Sequence, residues 1–310
     1  MTVERVVVPD ALDGERVDRV VSFVTGLARA EAAAVVDAGG VVLGGRPVTA
    51  RSRRVASGDV LEIAVPEPVP GPRGDAGVEL PIVHVDDAVV VVDKPAGLVV
   101  HPGAGNPGRT LVNGLLSRFP DLGDAEWPDP TRPGIVHRLD KGTSGLLMVA
   151  RTPTALASLA AQLQARTVER RYLALVWGAI DQPVGMVDAP IGRSPADPTR
   201  MAVRVDGRRA VTNYEVLARF TRPQAATLVR CALETGRTHQ IRVHLAAIGH
   251  PVVGDDRYMR RGTVVAPSVG AGRPFLHAAV LGFDHPQSGE RLRFESPLPD
   301  DLQAARDRLS

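Results

Sequence analysis

The densest concentration of reactive side chains is the run Gly134-Ile-Val-His-Arg-Leu-Asp-Lys-Gly-Thr-Ser-Gly-Leu-Leu-Met148. It sets one carboxylate, Asp140, between Arg138 and Lys141, then a glycine-flanked Thr-Ser turn and an apolar stretch. Aspartate side chains are ionised near neutrality, so the run offers one negative centre between two cations. An isolated Asp-Lys-Gly triplet more often opens a turn than performs chemistry. The length and order of this run argue for chemistry.

Two other patterns invite a functional reading and fail it. Gly103-Ala-Gly-Asn-Pro-Gly108 matches the dinucleotide fingerprint G-x-G-x-x-G. However, Pro107 removes a backbone N–H where phosphate would bind, no regular βαβ series follows, and no acid ends a strand about 20 residues on. A flexible turn is expected, and no nucleotide cofactor. His239 and His244, five apart on a helix, project ~140° from each other and cannot grip one metal ion together.

The elements that must position Asp140 belong to a chain of 310 residues, 44% hydrophobic and 23% charged, as in ordinary globular proteins. No apolar run reaches the ~18 residues of a membrane span, and the first residues lack a signal peptide pattern. Cys231 is the only cysteine, which excludes an internal disulfide and a cysteine-based zinc cage. A cytoplasmic protein with no membrane association is expected. The net charge of +2 requires any nucleic-acid surface to be local. Lys94 and Lys141 are the only two lysines, each directly after an aspartate, in a chain otherwise using arginine.

Residues 13–65 read as a small α+β module: Val17, Val20, Val21 and Val24 at helical spacing, then a helix from Arg29 to Asp37 stopped by Gly39-Gly40. A strand from Val41 and a closing strand through Leu61, Ile63 and Val65 complete it. Residues 66–79, rich in proline and glycine, form a semi-extended linker. Residues 80–310 alternate strands and helices. Val89–Val92, Gly145–Ala150, Tyr172–Trp177, 212–220 and 226–234 read as strands. Helices are expected over Thr110–Phe119, from a Thr154 cap through Leu156, Leu159, Ala160 and Leu163, and from Thr238 with Ile241, Leu245 and Ile248 inward. Consecutive strands without crossover helices predict an α+β fold with a mixed, largely antiparallel central sheet and flanking helices.

Four motifs, taken in order, resemble the RluA/RluD family of pseudouridine synthases. They are Asp93-Lys-Pro-Ala-Gly-Leu-Val-Val-His-Pro102, the Asp140 run, Arg170-Arg-Tyr-Leu-Ala-Leu-Val-Trp-Gly178, and Glu234-Thr-Gly-Arg-Thr-His-Gln-Ile-Arg-Val-His-Leu245 with His250-Pro-Val-Val-Gly-Asp255 behind it. Residues 13–65 resemble an S4 RNA-binding domain, with Arg29, Arg51, Arg53 and Arg54 as RNA contacts, although seven arginines there face seven acids and Ala28-Arg29 replaces the usual Ser-Arg pair. The resemblance implies the pseudouridine synthase fold and the isomerisation of uridine to pseudouridine. It makes Asp140 the catalytic residue, Arg242 its cationic partner and Tyr172 the residue against the target base. Arg138 fills the gap the base leaves, and His137, Lys94, Thr143 and Ile241 are expected around the substrate.

That reaction breaks N1–C1′, rotates the base and joins C5 to C1′, with no electrons exchanged and no group lost, so no cofactor is expected. Glycosidases need two carboxylates; uracil stabilises its own departing charge, so one can suffice. Asp140 could attack C1′, add to C6, or remove the C2′ proton. A carboxylate enclosed under a stacked base tends to take up a proton unless a cation faces it. The base must be everted, at a cost of a few kcal/mol, which favours loops of structured RNA. Large-subunit ribosomal RNA is the favoured partner, with transfer RNA as the alternative. A non-catalytic assembly factor would show a broken Asp140, Tyr172 and Arg242 set, and a hydrolase would show a second catalytic acid.

Overall fold

The computed structural model describes residues 2–27, 29–66, 71–103, 105–259, 269 and 272–310. The chain divides into two compact units, Met1–Pro70 and Gly71–Ser310. Residues 67–70 of the expected linker, and Ala28 of the second helix's opening pair, lie outside the described residues.

The first unit contains strand β1 (Thr2–Val7), helices α1 (Val17–Thr25) and α2 (Arg29–Asp37), and strands β2 (Val41–Leu43), β3 (Arg46–Pro47) and β4 (Val60–Val65). Val17, Val20 and Val21 on α1 meet Ala32 and Val36 on α2 and Leu61 and Ile63 on β4 in one core. The closing strand expected at Leu61–Val65 is in fact internal. It pairs with β2 on one side and with β1 on the other, Val6 opposite Leu61 and Glu4 opposite Ile63. The sheet order is β1-β4-β2-β3, so the unit starts well before residue 13. β1 escapes a reading from hydropathy because nearly all its side chains are exposed.

The second unit is built on strands β5 (Ile82–Val85), β6 (Val89–Lys94), β7 (Ser144–Ala150), β8 (Glu169–Trp177), β9 (Val184–Asp188), β10 (Ile191–Arg193), β11 (Met201–Val203), β12 (Val211–Phe220), β13 (Ala226–Leu233), β14 (Leu276–Asp284) and β15 (Arg291–Glu295). Its helices are α3 (Leu111–Arg118), α4 (Asp121–Asp124), α5 (Pro153–Ala165), α6 (Gln240–Ala247) and α7 (Asp300–Asp307). Nine strands form one sheet in the order β5-β6-β7-β14-β8-β13-β12-β9, with β15 on β14. Of its pairs, β7–β14 is parallel and the others antiparallel. The mixed, largely antiparallel sheet with flanking helices is thus present.

Three local readings change. Thr152 rather than Thr154 caps α5: its Oγ1 accepts from Ala155 N at 3.1 Å, and Pro153 supplies the first helical residue. Ala160 is exposed and Ala155 takes its place in the core, one turn before Leu159 on the same face of a helix that starts two residues earlier than expected. α6 starts at Gln240, two residues after Thr238, and ends before Ile248, which is left exposed.

β14 joins the two halves of the sheet, lying parallel to β7 and antiparallel to β8. The contact with β7 is made at Gly145, where φ is +112° and a Cβ would stand 2.3 Å from the Ala278 carbonyl oxygen. Only glycine admits both the backbone conformation and the approach. Gly145→Ala is expected to lower the free energy of unfolding by about 3 kcal/mol, read as a fall in the urea midpoint. An unchanged midpoint would show that β14 can withdraw from β7 without loss.

Candidate active site

Asp140 sits in a loop anchored at both ends. On the way in, Ala150 N donates to Gly134 O (2.8 Å), Ile135 bridges Val149, and Met148 N donates to His137 Nε2 (3.2 Å), so the segment lies along β7. Leu139 is buried in the main core. On the way out, Thr143 N closes a turn onto Asp140 O at 3.0 Å, Gly97 N donates to Lys141 O, and Arg273 Nη1 donates to Gly142 O. The backbone of Asp140 therefore does open a turn. Its side chain is engaged elsewhere.

Arg242, in the first turn of α6, donates from Nη1 to Asp140 Oδ2 at 3.0 Å. Its Nε and Nη2 hold Asp255 in a two-point pair at 2.7 and 2.9 Å. Its guanidinium also lies 5.1 Å from the centre of the Tyr258 ring. Burial would lower the Arg242 pKa, but the Asp255 and Asp140 carboxylates outweigh that and hold it above the ordinary guanidinium value. The second oxygen, Asp140 Oδ1, lies 3.8 Å from His239 Nε2, whose ring is fixed through Nδ1 by the Tyr258 hydroxyl at 2.6 Å. His239 adopts a left-handed φ of +57° directly before the helix. That turn is held by Gln240, which donates to Val211 O and Thr212 Oγ1 and accepts from Thr235 Oγ1 and Arg237 N.

In front of Asp140 opens a cleft of about 690 Å³, lined among others by His137, Arg138, Asp140, Thr143, Arg170, Tyr172, His239 and Ile241. Arginines 132, 138, 166, 208 and 237 add positive charge to its walls, against Asp140 and Glu234. Glu234 is paired with Arg166 at 3.2 Å. Such a surface attracts a polyanion. Tyr172 is a buried residue of β8 facing Asp140; burial raises its pKa, Arg170 pulls it back and Asp140 adds to the rise. Burial pushes His137 down to about 3, with the Arg170 charge adding to the shift, so it is a neutral acceptor for Met148 N. Arg138 is exposed at the cleft, its Nη1 3.3 Å from His101 Nε2.

Of the expected site residues, Asp140, Tyr172, Arg138, His137, Thr143 and Ile241 line one cleft, and Arg242 stands behind Asp140. Lys94 does not line it. Fully buried at the end of β6, its Nζ donates to Pro95 O and Leu98 O at 2.9 Å and approaches Lys141 O at 3.5 Å. Burial pulls its pKa down to about 7, and the Asp140 charge pulls it back up. Lys94 thus props the loop beneath Asp140 instead of meeting a ligand. In the first unit, Arg51 forms a two-point pair with Asp37 and Arg54 donates to Gly14 O, while Arg29 and Arg53 are exposed.

His239 and His244 bind different partners, His244 meeting Thr212 Oγ1 and Ala189 O. Among the described residues no group of three or more His, Cys, Asp or Glu side chains could hold a metal ion. Asp255, which the fourth motif contains without a role, and Tyr258, which no motif contains, complete the surroundings of Arg242. An acid following Gly254 gave a signal for the first, and nothing did for the second.

One carboxylate, held by an arginine at the base of an arginine-lined cleft on a mixed sheet, makes a site suited to a polyanionic ligand. The profile of the RNA pseudouridylate synthase family matches residues 88–247. The chain is 46% identical to the ribosomal large subunit pseudouridine synthase D of Xanthomonas campestris pv. campestris, over 97% of this chain and 91% of that one. It is also 46% identical to the uncharacterized RNA pseudouridine synthase YlyB of Bacillus subtilis, over 93% of this chain and 92% of that one. The structure of human RNA pseudouridylate synthase domain containing 1 superposes with a TM-score of 0.57 at 27% identity, covering 77% of this chain and 91% of that one. The chain belongs to the RNA pseudouridylate synthase family and is an isomerase.

Removing Arg242 leaves Asp255 buried without its counter-charge. Arg242→Ala is expected to lower stability by about 3–5 kcal/mol and to abolish turnover. Arg242→Lys keeps a charge but has one nitrogen in place of the planar fork that reaches both carboxylates; it should regain stability more than activity. Denaturation midpoints beside pseudouridine yields measure both, and near-normal activity of Arg242→Ala would contradict the pairing's role.

Proposed function

We propose that this chain converts uridines in loops of large-subunit ribosomal RNA to pseudouridine, in the cytoplasm, with Asp140 as the catalytic carboxylate. The observation that carries this reading is the Asp140 carboxylate at the cleft, one oxygen held by Arg242 and the other without a hydrogen bond among the described residues. Arg242 fixes Oδ2, so Oδ1 is the atom presented to the ribose or the ring. The names of curated relatives as ribosomal large subunit pseudouridine synthase D favour ribosomal RNA.

The everted base lies between Tyr172 and Ile241, and the exposed guanidinium of Arg138 enters the space it vacates, stacking and meeting phosphates together. Thr143 and His137 shape the wall. The N-terminal unit acts as an S4-like RNA-binding module through Arg29 and Arg53, with Arg51 and Arg54 partly committed within the unit. Deleting residues 1–65 is expected to reduce the salt dependence of RNA binding; an unchanged slope would exclude that module from the contact.

Asp140→Asn should reduce turnover on ribosomal RNA transcripts by roughly four orders of magnitude, scored as reverse-transcription stops after carbodiimide treatment. Normal activity of this variant would overturn the assignment, and abasic sites in place of pseudouridine would identify a hydrolase. Tyr172→Phe keeps the stack and removes the hydroxyl, whereas Tyr172→Leu removes both. Activity retained by Phe and lost by Leu assigns stacking; equal loss in both assigns the hydroxyl.

A further inference from the structure

Arg170 is 9% exposed and lines the cleft, yet its Nε is buried with no hydrogen-bond acceptor among the described residues. Among the described residues no carboxylate pairs with it, whereas Arg242 already holds Asp140. An ionised group without a partner is costly to enclose. Its neighbours supply no counter-charge: burial keeps both His137 and the Tyr172 hydroxyl neutral. Burial also lowers the Arg170 pKa, but a guanidinium stays charged throughout the physiological range. Gly236 makes room for it, since a Cβ there would lie 2.9 Å from Arg170 Nη1.

Arg170 and Tyr172 are two residues apart on β8 and therefore face the same side of the sheet. We infer that Arg170 faces the everted uracil and stabilises the negative charge it carries once N1–C1′ has broken. This rests on the reading of Asp140 and Tyr172 given above. When that bond breaks, its electron pair leaves with N1 and the base becomes an anion. C1′ regains a pair either from an Asp140 oxygen or by loss of the C2′ proton to Asp140. After rotation C5 bonds to C1′, expelling the Asp140 oxygen in the first case or with Asp140 returning the proton to C2′ in the second, and the C5 proton ends on N1, so composition, charge and the Asp140 carboxylate are restored. A phosphate, by contrast, is charged before reaction and is served by the exposed arginines nearer solvent. A donor that meets charge formed only during reaction raises the rate without tightening binding.

The experiment compares single-turnover rates at saturating enzyme, on RNA transcribed with uridine or with 5-fluorouridine, for wild type, Arg170→Met and Arg170→Lys. The RNA is the large-subunit ribosomal transcript or, if wild type leaves that untouched, the transfer RNA pool. Failure of the substrate reading is then seen in wild type, and failure of the Arg170 role only in the variants. Arg170→Met should lower the saturating rate by about 10²–10³-fold, leave the Kd for RNA nearly unchanged, and leave Tm unchanged or raised. Arg170→Lys should recover part of the rate. Fluorine makes the departing base a better anion, so the loss in N1–C1′ cleavage, read by nuclease digestion and mass spectrometry, should shrink on the fluorinated RNA. A weakened Kd with an unchanged saturating rate, an equal loss on both RNAs, or a lowered Tm for Arg170→Met would each overturn the proposal.

Discussion

One guanidinium shared between two carboxylates organises the catalytic unit. Arg242 reaches Asp140 in the loop before β7 and Asp255 in the turn after α6, and stacks on Tyr258. The Asp140 loop is thereby fixed to α6 and the turn that follows it, a segment far away in sequence, around one planar cation. A lysine, with a single charged point, could not set their mutual geometry. Much of the remaining architecture supports this arrangement: Gln240 holds the turn that starts α6, and Lys94 and Arg273 support the Asp140 loop from below.

The site divides its labour by charge and burial. Arginines in contact with solvent give the cleft a field suited to a polyanion, an effect that weakens with salt. The interior groups are arranged differently. His137 is neutral and fixed by Met148 N, Tyr172 is neutral, and Asp140 faces one arginine. Association and chemistry can therefore be altered separately, by substituting the cleft's outer arginines or its enclosed residues.

Motifs were legible in the sequence where long-range pairing was not. Asp140, Tyr172 and Arg242 stand in motifs whose residue types are legible one at a time, and the structure places the first two at one cleft with Arg242 behind Asp140. The antiparallel character of the sheet was also visible, because β12 and β13 follow each other with only a turn between. What stayed hidden depends on long-range partners. β14 carries His277 in its core face, satisfied by Ser144 and Ser296, and so does not read as a buried strand. β1 is exposed on nearly every residue and is defined by its pairing with β4. Lys94 looked like a substrate ligand because it lies in a motif, and only its burial under Lys141 O shows a supporting role.

The place of β14 in the sheet has a consequence for biosynthesis. Residues up to about Val149 build one half of the site and residues from Glu169 the other, but the strand that unites them is Leu276–Asp284, near the end of the chain. Hairpins such as β12–β13 are local in sequence and can form early, whereas the strand between β7 and β8 is supplied by a late segment. Fragments that stop short of Leu276 carry Asp140, Tyr172 and Arg242 but lack the strand that unites the two halves of the sheet.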